Sequence, residues 1–166
     1  MQLQRSTART SVWSVRVEID DSAPLEELRT LLREYPASIP VALEAADYEQ
    51  WLADLPGAYA PPRGALLLAR VDGASAGCIA LRPFDDESAE VKRLYVRDAF
   101  RRAGVGRALV SESIARARAA GFARLRLDTH STMTPAQNLY RSFGFIEIPA
   151  YWEHPIDGVV FFELAL

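Results

Sequence analysis

Residues 65–130 constrain the fold more than any other part of the chain. ALLLARVDG (65–73) is a short apolar run closed by Asp72-Gly73, a hairpin turn signal. SAGCIALRP (75–83) is its partner, stopped by Pro83, and AEVKRLYV (89–96) follows the polar turn DDES (85–88). These segments read as three consecutive antiparallel strands. A helical pattern then covers 104–120, with Val105, Leu109, Val110, Ile114 and Ala117 on one stripe and Gly121 as its stop. ARLRLDTH (123–130) alternates, with Leu125 and Leu127 inward. A helix between strands 89–96 and 123–130 demands one parallel crossover inside a mostly antiparallel sheet.

The flanks extend this plan. VWSVRVEID (12–20) places Trp13, Val15, Val17 and Ile19 on one parity and predicts the first strand. Pro24 suits the first turn of a helix capped by Ser22, running through LEELRTLLREY and stopping before Pro36. Residues 44–55 predict a second short helix, and LPGAYAPPRG (55–64) predicts irregular chain. Pro135 opens a short helix ended by Gly144; FGFIEI, the loop PAYWEHPIDG and a final strand VVFFELAL follow. The order is β-α-α-β-β-β-α-β-α-β-β. No linker, repeat or second core interrupts the 166 residues. The expectation is a single domain over 12–166, after a flexible stretch 1–11. Its class is α/β, a twisted mixed sheet with helices on both faces.

One strand breaks phase. In EVKRLYV, Val91 is apolar at an odd position, whereas Leu94 and Val96 are apolar at even ones. A regular strand cannot bring all three to one face. One extra residue, a β-bulge, restores the pattern. The alternative is a strand buried on both faces.

Immediately afterwards comes RRAGVGRAL (101–109). Two glycines, several arginines and a helix start suggest a phosphate site, because a helix N-terminus offers unpaired N–H groups and a positive dipole end. A nucleotide P-loop needs four residues between its glycines and then Lys-Ser/Thr, which are absent. A dinucleotide fingerprint needs a third glycine where Leu109 stands, and a parallel doubly wound sheet. Arg/Gln-x-x-Gly-x-Gly/Ala between a strand and a helix is matched by Arg101, Gly104 and Gly106.

With KRLYV (92–96), that loop, LRLDTH (125–130) and AQNLYRSFGF (136–145), the chain resembles the GNAT superfamily of acetyl-CoA-dependent N-acetyltransferases. The resemblance covers roughly residues 65–147, and the last segment matches the pattern A-x-x-L-Y-x-x-x-G-F. LPGAYAPPRG, GCIALRP and EVKRLYV are similar to a widespread bacterial subgroup with mostly unassigned acceptors. The resemblance implies the GNAT fold and acetyl-CoA as co-substrate. It implies that backbone N–H groups of Arg101, Arg102, Ala103, Gly104, Val105, Gly106 and Arg107 hold the CoA pyrophosphate. Leu94, Tyr95 and Val96 would pair, backbone to backbone, with the pantetheine amides. Asn138 would touch the pantetheine arm, and Tyr140 would protonate the leaving thiolate. Glu90 is the first candidate for general base, directly or through water, its alternative being a strand-end carboxylate paired with an arginine. His130 is the second, its alternative a loop-start histidine with no task. Asp128 is the third, with a structural role favoured for it.

Arg93, Arg97, Arg101, Arg102 and Arg107 lie within fifteen residues, opposed only by Asp98, so the phosphate end is basic. The acceptor end is expected from residues 21–62 and 149–158. These hold Tyr35, Tyr48, Trp51, Tyr59, Tyr151 and Trp152 beside Glu44, Asp47, Glu49, Asp54 and Glu153, which suit a cationic amine and equally suit an ordinary core and surface or a dimer contact. His154 lies in the same loop, with a surface position as its default. The expected reaction is direct acetyl transfer to a primary amine of a small molecule or protein. A non-catalytic acyl-CoA sensor of the same fold is the alternative.

Composition narrows the partners. A net charge of −3 gives nucleic acid no global support. No apolar run approaches the ~20 residues of a membrane span. Cys78 is the one cysteine; a buried small hydrophobe is the expectation for it, and its solitude fits a reducing cytoplasm. No spacing of ligating residues suggests a metal. Lys92 is the one lysine among 19 basic residues, which suggests a GC-rich source genome. A monomer or a homodimer is expected.

Overall fold

The computed structural model describes residues 15–153 and 156–166. Seven strands form one sheet in the order β1-β2-β3-β4-β5-β7-β6. β1 (Val17–Asp20), β2 (Ala65–Val71), β3 (Ala74–Pro83) and β4 (Ser88–Val96) run antiparallel, each beside the next. β4 meets β5 (Arg124–His130) in parallel, across the crossover helix α3 (Val105–Ala119). α4 (Thr134–Ser142) leads to β6 (Ile146–Ile148), and β7 (Val159–Ala165) inserts antiparallel between β5 and β6. The order of elements along the chain and the single parallel crossover are those the sequence predicts; the place of β7 between β5 and β6 is not read from it.

Helices cover both faces because both faces of the central strands are apolar. On one side α3 buries Val105, Leu109, Val110, Ile114 and Ala117 against Leu67, Ile79, Leu81, Leu125 and Leu127. Tyr140 of α4 and Phe145 join the same cluster. On the other side α1 (Leu25–Glu34) buries Leu28, Leu31 and Leu32, and α2 (Ala45–Ala53) buries Tyr48 and Leu52, over Leu68, Cys78 and Ala80. The Tyr48 hydroxyl donates to the Leu32 carbonyl at 2.7 Å and ties α2 to α1.

Three local expectations change. Ser22 does not cap α1: Pro24 is the cap residue, and Ser22 sits two residues early, bonded to Asp20 Oδ1. The chain does not leave helical geometry at Pro36, because a 3-10 turn over Tyr35–Ser38 follows α1 directly. Pro36 falls in that first turn, where a missing N–H is harmless. Within 55–64, Gly57–Tyr59 forms a short 3-10 helix that seats Tyr59 in the core. Trp13 and the start of the predicted first strand lie outside the described residues, as does His154.

The phase break is a bulge. Lys92 pairs with Ala80 and Tyr95 with Cys78, so Arg93 and Leu94 share the space opposite Ile79. Arg93 takes φ +58°. The extra residue brings Val91, Leu94 and Val96 all to the α3 side, while Tyr95 packs toward α1 and α2. β4 pairs with β5 only over Ser88–Glu90. Beyond that point the two strands part, and β5 continues with β7 alone to His130.

Candidate active site

Two cavities open where β4 and β5 separate. The larger, about 660 Å³, runs beside Leu94, Tyr95 and Val96 to the start of α3, with Pro135, Ala136 and Leu139 of α4 opposite. The smaller, about 180 Å³, lies on the β5 side, bounded by Arg93, Asp128, His130, Tyr140 and the chain around residues 39–43. Leu94, Met133 and Ala136 belong to both walls, so the two spaces adjoin.

The far end of the groove is backbone. Gly104 adopts φ +82°, which an L side chain disfavours, and precedes α3 without any side-chain cap. The first helical bond runs from Ala108 N–H to the Gly104 carbonyl. The N–H groups of Val105, Gly106 and Arg107 therefore have no acceptor among the described residues, and they open to the groove with the positive end of the helix dipole. Gly106 is small for another reason. A Cβ there would lie 3.3 Å from Leu139 of α4 and 3.8 Å from Val96, in the floor of the groove. This is an anion cradle with an apolar trough leading to it.

Of the residues expected at this end, Leu94, Tyr95, Val96, Arg101, Arg102, Gly104, Val105, Gly106 and Arg107 line the groove. Ala103 and Asn138 do not. Ala103 packs against the core beneath the loop. Asn138 lies two residues from Ala136, about 200° around α4, and faces solvent. The basic cluster is also smaller than the sequence suggests. Arg97 is bound by Glu34, Nη2 to Oε1 at 2.6 Å, and Arg93 turns away to the other cavity. Arg101, Arg102 and Arg107 remain at the groove.

Tyr140 is buried and lines the smaller cavity, with its ring 5.8 Å from Phe145 and 6.4 Å from Phe162. Burial, together with Tyr35 and Asp128 nearby, pushes its phenol well above the ordinary tyrosine range. It is a phenol that keeps its proton at neutral pH. His130 also lines this cavity. Its Nδ1 accepts from the Thr132 backbone N–H at 3.2 Å and lies 2.8 Å from Thr132 Oγ1. Neutral imidazole in that arrangement carries its proton on Nε2.

Glu90 is enclosed beside the site and lines neither cavity. Its side chain is 1% exposed. Arg82 donates to Oε1 at 3.1 and 2.8 Å. The Tyr151 hydroxyl donates to Oε2 at 2.7 Å, and Lys92 Nζ lies 3.4 Å from it. Its pairing capacity is spent on structure, and direct contact with an acceptor is closed by burial. Asp128, held by Lys92, is the carboxylate that does line the cavity. Among the described residues no three His, Cys, Asp or Glu side chains gather as a metal site would need. No helix there is long and apolar enough to cross a membrane.

Residues 25–145 match the acetyltransferase (GNAT) family model, a span that holds α1 to α4 and β2 to β5. The chain belongs to the GNAT family. An uncharacterised N-acetyltransferase of Schizosaccharomyces pombe is 36% identical over 144 residues, covering 86% of this chain and 88% of the relative. A solved acetyltransferase from Streptococcus agalactiae superposes with a TM-score of 0.75 at 22% identity, over 90% of this chain and 98% of that one. A GNAT acetyltransferase from Elizabethkingia anophelis, solved with acetyl-CoA bound, gives a TM-score of 0.64 at 21% identity, over 92% and 99%.

The acceptor end of this GNAT chain differs most from the sequence reading. Tyr35 and Trp152 line the smaller cavity. Tyr48, Trp51 and Tyr59 pack in or against the core under α2, and Tyr151 is the clamp on Glu90. Glu44, Asp47, Glu49, Asp54 and Glu153 face solvent and line neither cavity. Sequence reasoning missed Lys92 and Arg93 as cavity residues. For Arg93 the bulge it did detect was the available signal, because the two successive residues there, Arg93 and Leu94, leave the alternating pattern.

Proposed function

We propose that this chain transfers acetyl from acetyl-CoA directly to a primary amine, with both substrates bound at once. The single observation carrying this reading is the adjoining pair of cavities. One ends in an unpaired helix N-terminus fit for a pyrophosphate; the other begins at Tyr140. In this reading Leu94, Tyr95 and Val96 present the freed edge of β4 to the pantetheine amides, and Gly104 to Arg107 hold the phosphates. Arg101 and Arg102 add long-range attraction.

The acetyl carbonyl then lies near the junction of the cavities, where an amine nitrogen attacks it and the C–S bond breaks. Tyr140 gives its proton to the departing sulfur. A thiol titrates near 8.5, so the donor accelerates departure without being indispensable. An amine of pKa about 10.4 must itself lose a proton, at a cost of about 4.6 kcal/mol at pH 7. With Glu90 locked in place, that proton leaves by water along Asp128 and His130. Holding both reactants in register is the main contribution of the site. Cys78 has no part in it, being buried between β3 and the helices α1 and α2. A second cavity adjoining the groove, with a buried tyrosine in its wall, favours an enzyme over an acyl-CoA sensor. A reducing cytoplasmic setting and a bacterial source complete the reading, supported by the lone buried cysteine and the arginine-rich composition. The fission-yeast relative marks the second as the weaker part.

Calorimetric titration of acetyl-CoA, with ATP as control, followed by thiol release in an amine panel, tests this proposal. Micromolar binding of acetyl-CoA alone and amine-dependent thiol release are expected. Equal binding of ATP, or no binding of acetyl-CoA, would sink it.

A further inference from the structure

The charges around the smaller cavity do not cancel. Lys92 sits between Asp128 and Glu90, and Glu90 also holds Arg82. That leaves Arg93. It lines the cavity and forms no ion pair among the described residues. Its Nε is enclosed and has no hydrogen-bond partner. The other part-buried arginines are treated differently. Arg70 meets Asp20 and Glu27, Arg97 meets Glu34, and Arg126 meets Glu163. A guanidinium withdrawn from water without a counter-charge is costly, and its two terminal nitrogens carry four further N–H donors.

What holds Arg93 is aromatic. Its guanidinium carbon lies 5.0 Å from the Trp51 ring centroid, 5.4 Å from Tyr35 and 5.5 Å from Tyr48. These rings fix the side chain by cation–π attraction without neutralising it. The bulge at Arg93 is what turns it here. The rest of the cavity wall is largely apolar, from Ile39, Val41, Leu43, Trp152 and Ile156.

We propose that Arg93 is a specificity residue that receives a carboxylate on the acceptor, so that the substrate is an amine bearing a carboxylate and an apolar body, the class of a free hydrophobic amino acid. The inference rests on the acetyltransferase reading. A planar guanidinium clamped by rings pairs with a carboxylate in two parallel hydrogen bonds. The apolar wall takes the side chain, and the amine is left to point toward Tyr140 and the thioester.

The test compares L-leucine, L-phenylalanine, L-methionine and L-tryptophan with their α-carboxamides, at saturating acetyl-CoA. The amides keep the size and have the less basic amine, so any free-base effect favours them. At least one acid is acetylated with kcat/KM about tenfold or more above its amide, the difference lying in KM, as a charged hydrogen-bonded pair supplies. Arg93→Met removes that preference by raising KM for the acid, with acetyl-CoA affinity unchanged by calorimetry. Arg93→Lys restores part of it. Amides equal to or better than acids with the wild-type protein overturn the inference, even if Arg93→Met cannot be purified. So does a preference that survives Arg93→Met. So does a panel in which no acid is acetylated while acetyl-CoA binds. Failure of the wild-type protein to bind acetyl-CoA is a different result, because it removes the transferase reading itself.

Discussion

The two cavities that meet at Leu94, Met133 and Ala136 are built from different materials. The groove ends in backbone: a left-handed glycine, a helix start without a cap, and a strand edge freed by a bulge. The smaller cavity is walled by side chains from β4, β5, α4, the 3-10 turn after α1 and the loop before β7. A backbone site asks few residue identities of the chain, but asks them within one short stretch. A side-chain site asks many, scattered over more than a hundred positions. The first tolerates loss of any one side chain; the second does not.

The largest expected effect strikes the backbone end. Gly104→Glu forces a side chain into φ +82° and sets a carboxylate beside the unpaired N–H groups. Acetyl-CoA affinity falls about 100-fold or more by calorimetry. Tyr140→Phe comes next. It lowers kcat about 100-fold, while acetyl-CoA affinity stays within about twofold. A loss confined to affinity would place Tyr140 in the groove and erase the contrast.

Glu90→Gln sharpens the comparison from the structural side. Removing the charge leaves Arg82 half-buried without its partner, and destabilises the fold by about 3 kcal/mol in denaturant titration. The folded protein keeps turnover within about fivefold, because the carboxylate is held away from the acceptor. Loss of more than about 100-fold at full folding would return Glu90 to the role of base. Arg102→Ala is smaller still. Acetyl-CoA affinity falls about threefold, and its salt dependence flattens, as for one exposed charge among three.

The smallest effect lies outside both cavities. Burial pushes the Cys78 thiol from 9.0 up to about 12. The raised value means the neutral thiol stabilises the fold below pH 9, and this contribution is lost as pH rises from 9 toward 12. Cys78→Ala therefore flattens the alkaline limb of the stability curve. In the native protein iodoacetamide labels Cys78 only at the rate of unfolding.

These materials also explain what could be read beforehand. The strands β2 to β5, the crossover and the bulge follow from apolar spacing between residues 65 and 130, because period and parity are local; the insertion of β7 between β5 and β6 leaves no such trace. The glycine loop was legible for the same reason. Asn138 was misread because a motif position says nothing of which side of α4 meets the groove; the 100° step per residue decides that. Glu90 was legible as either a base or an arginine-paired carboxylate, and the choice was not, because its partners Arg82 and Tyr151 come from separate segments. Burial that depends on a residue sixty positions away leaves no periodic trace. The acids on and around α2 were assigned to the acceptor by proximity in the chain, yet they occupy its solvent face.

The bulge on β4 has a simple description in terms of chain length: it is a one-residue insertion. β3 offers Ile79 alone opposite Arg93 and Leu94. Loss of a single codon at position 93 would leave Val91, Leu94 and Val96 on the same parity, so the apolar face of the strand would survive intact. A regular strand of that kind could continue beside β5. The cleft, the freed edge and the unpaired cation would disappear together, and the hydrophobic core would register almost nothing. Read in the other direction, an inert sheet with this topology stands one codon away from a cleft for two substrates.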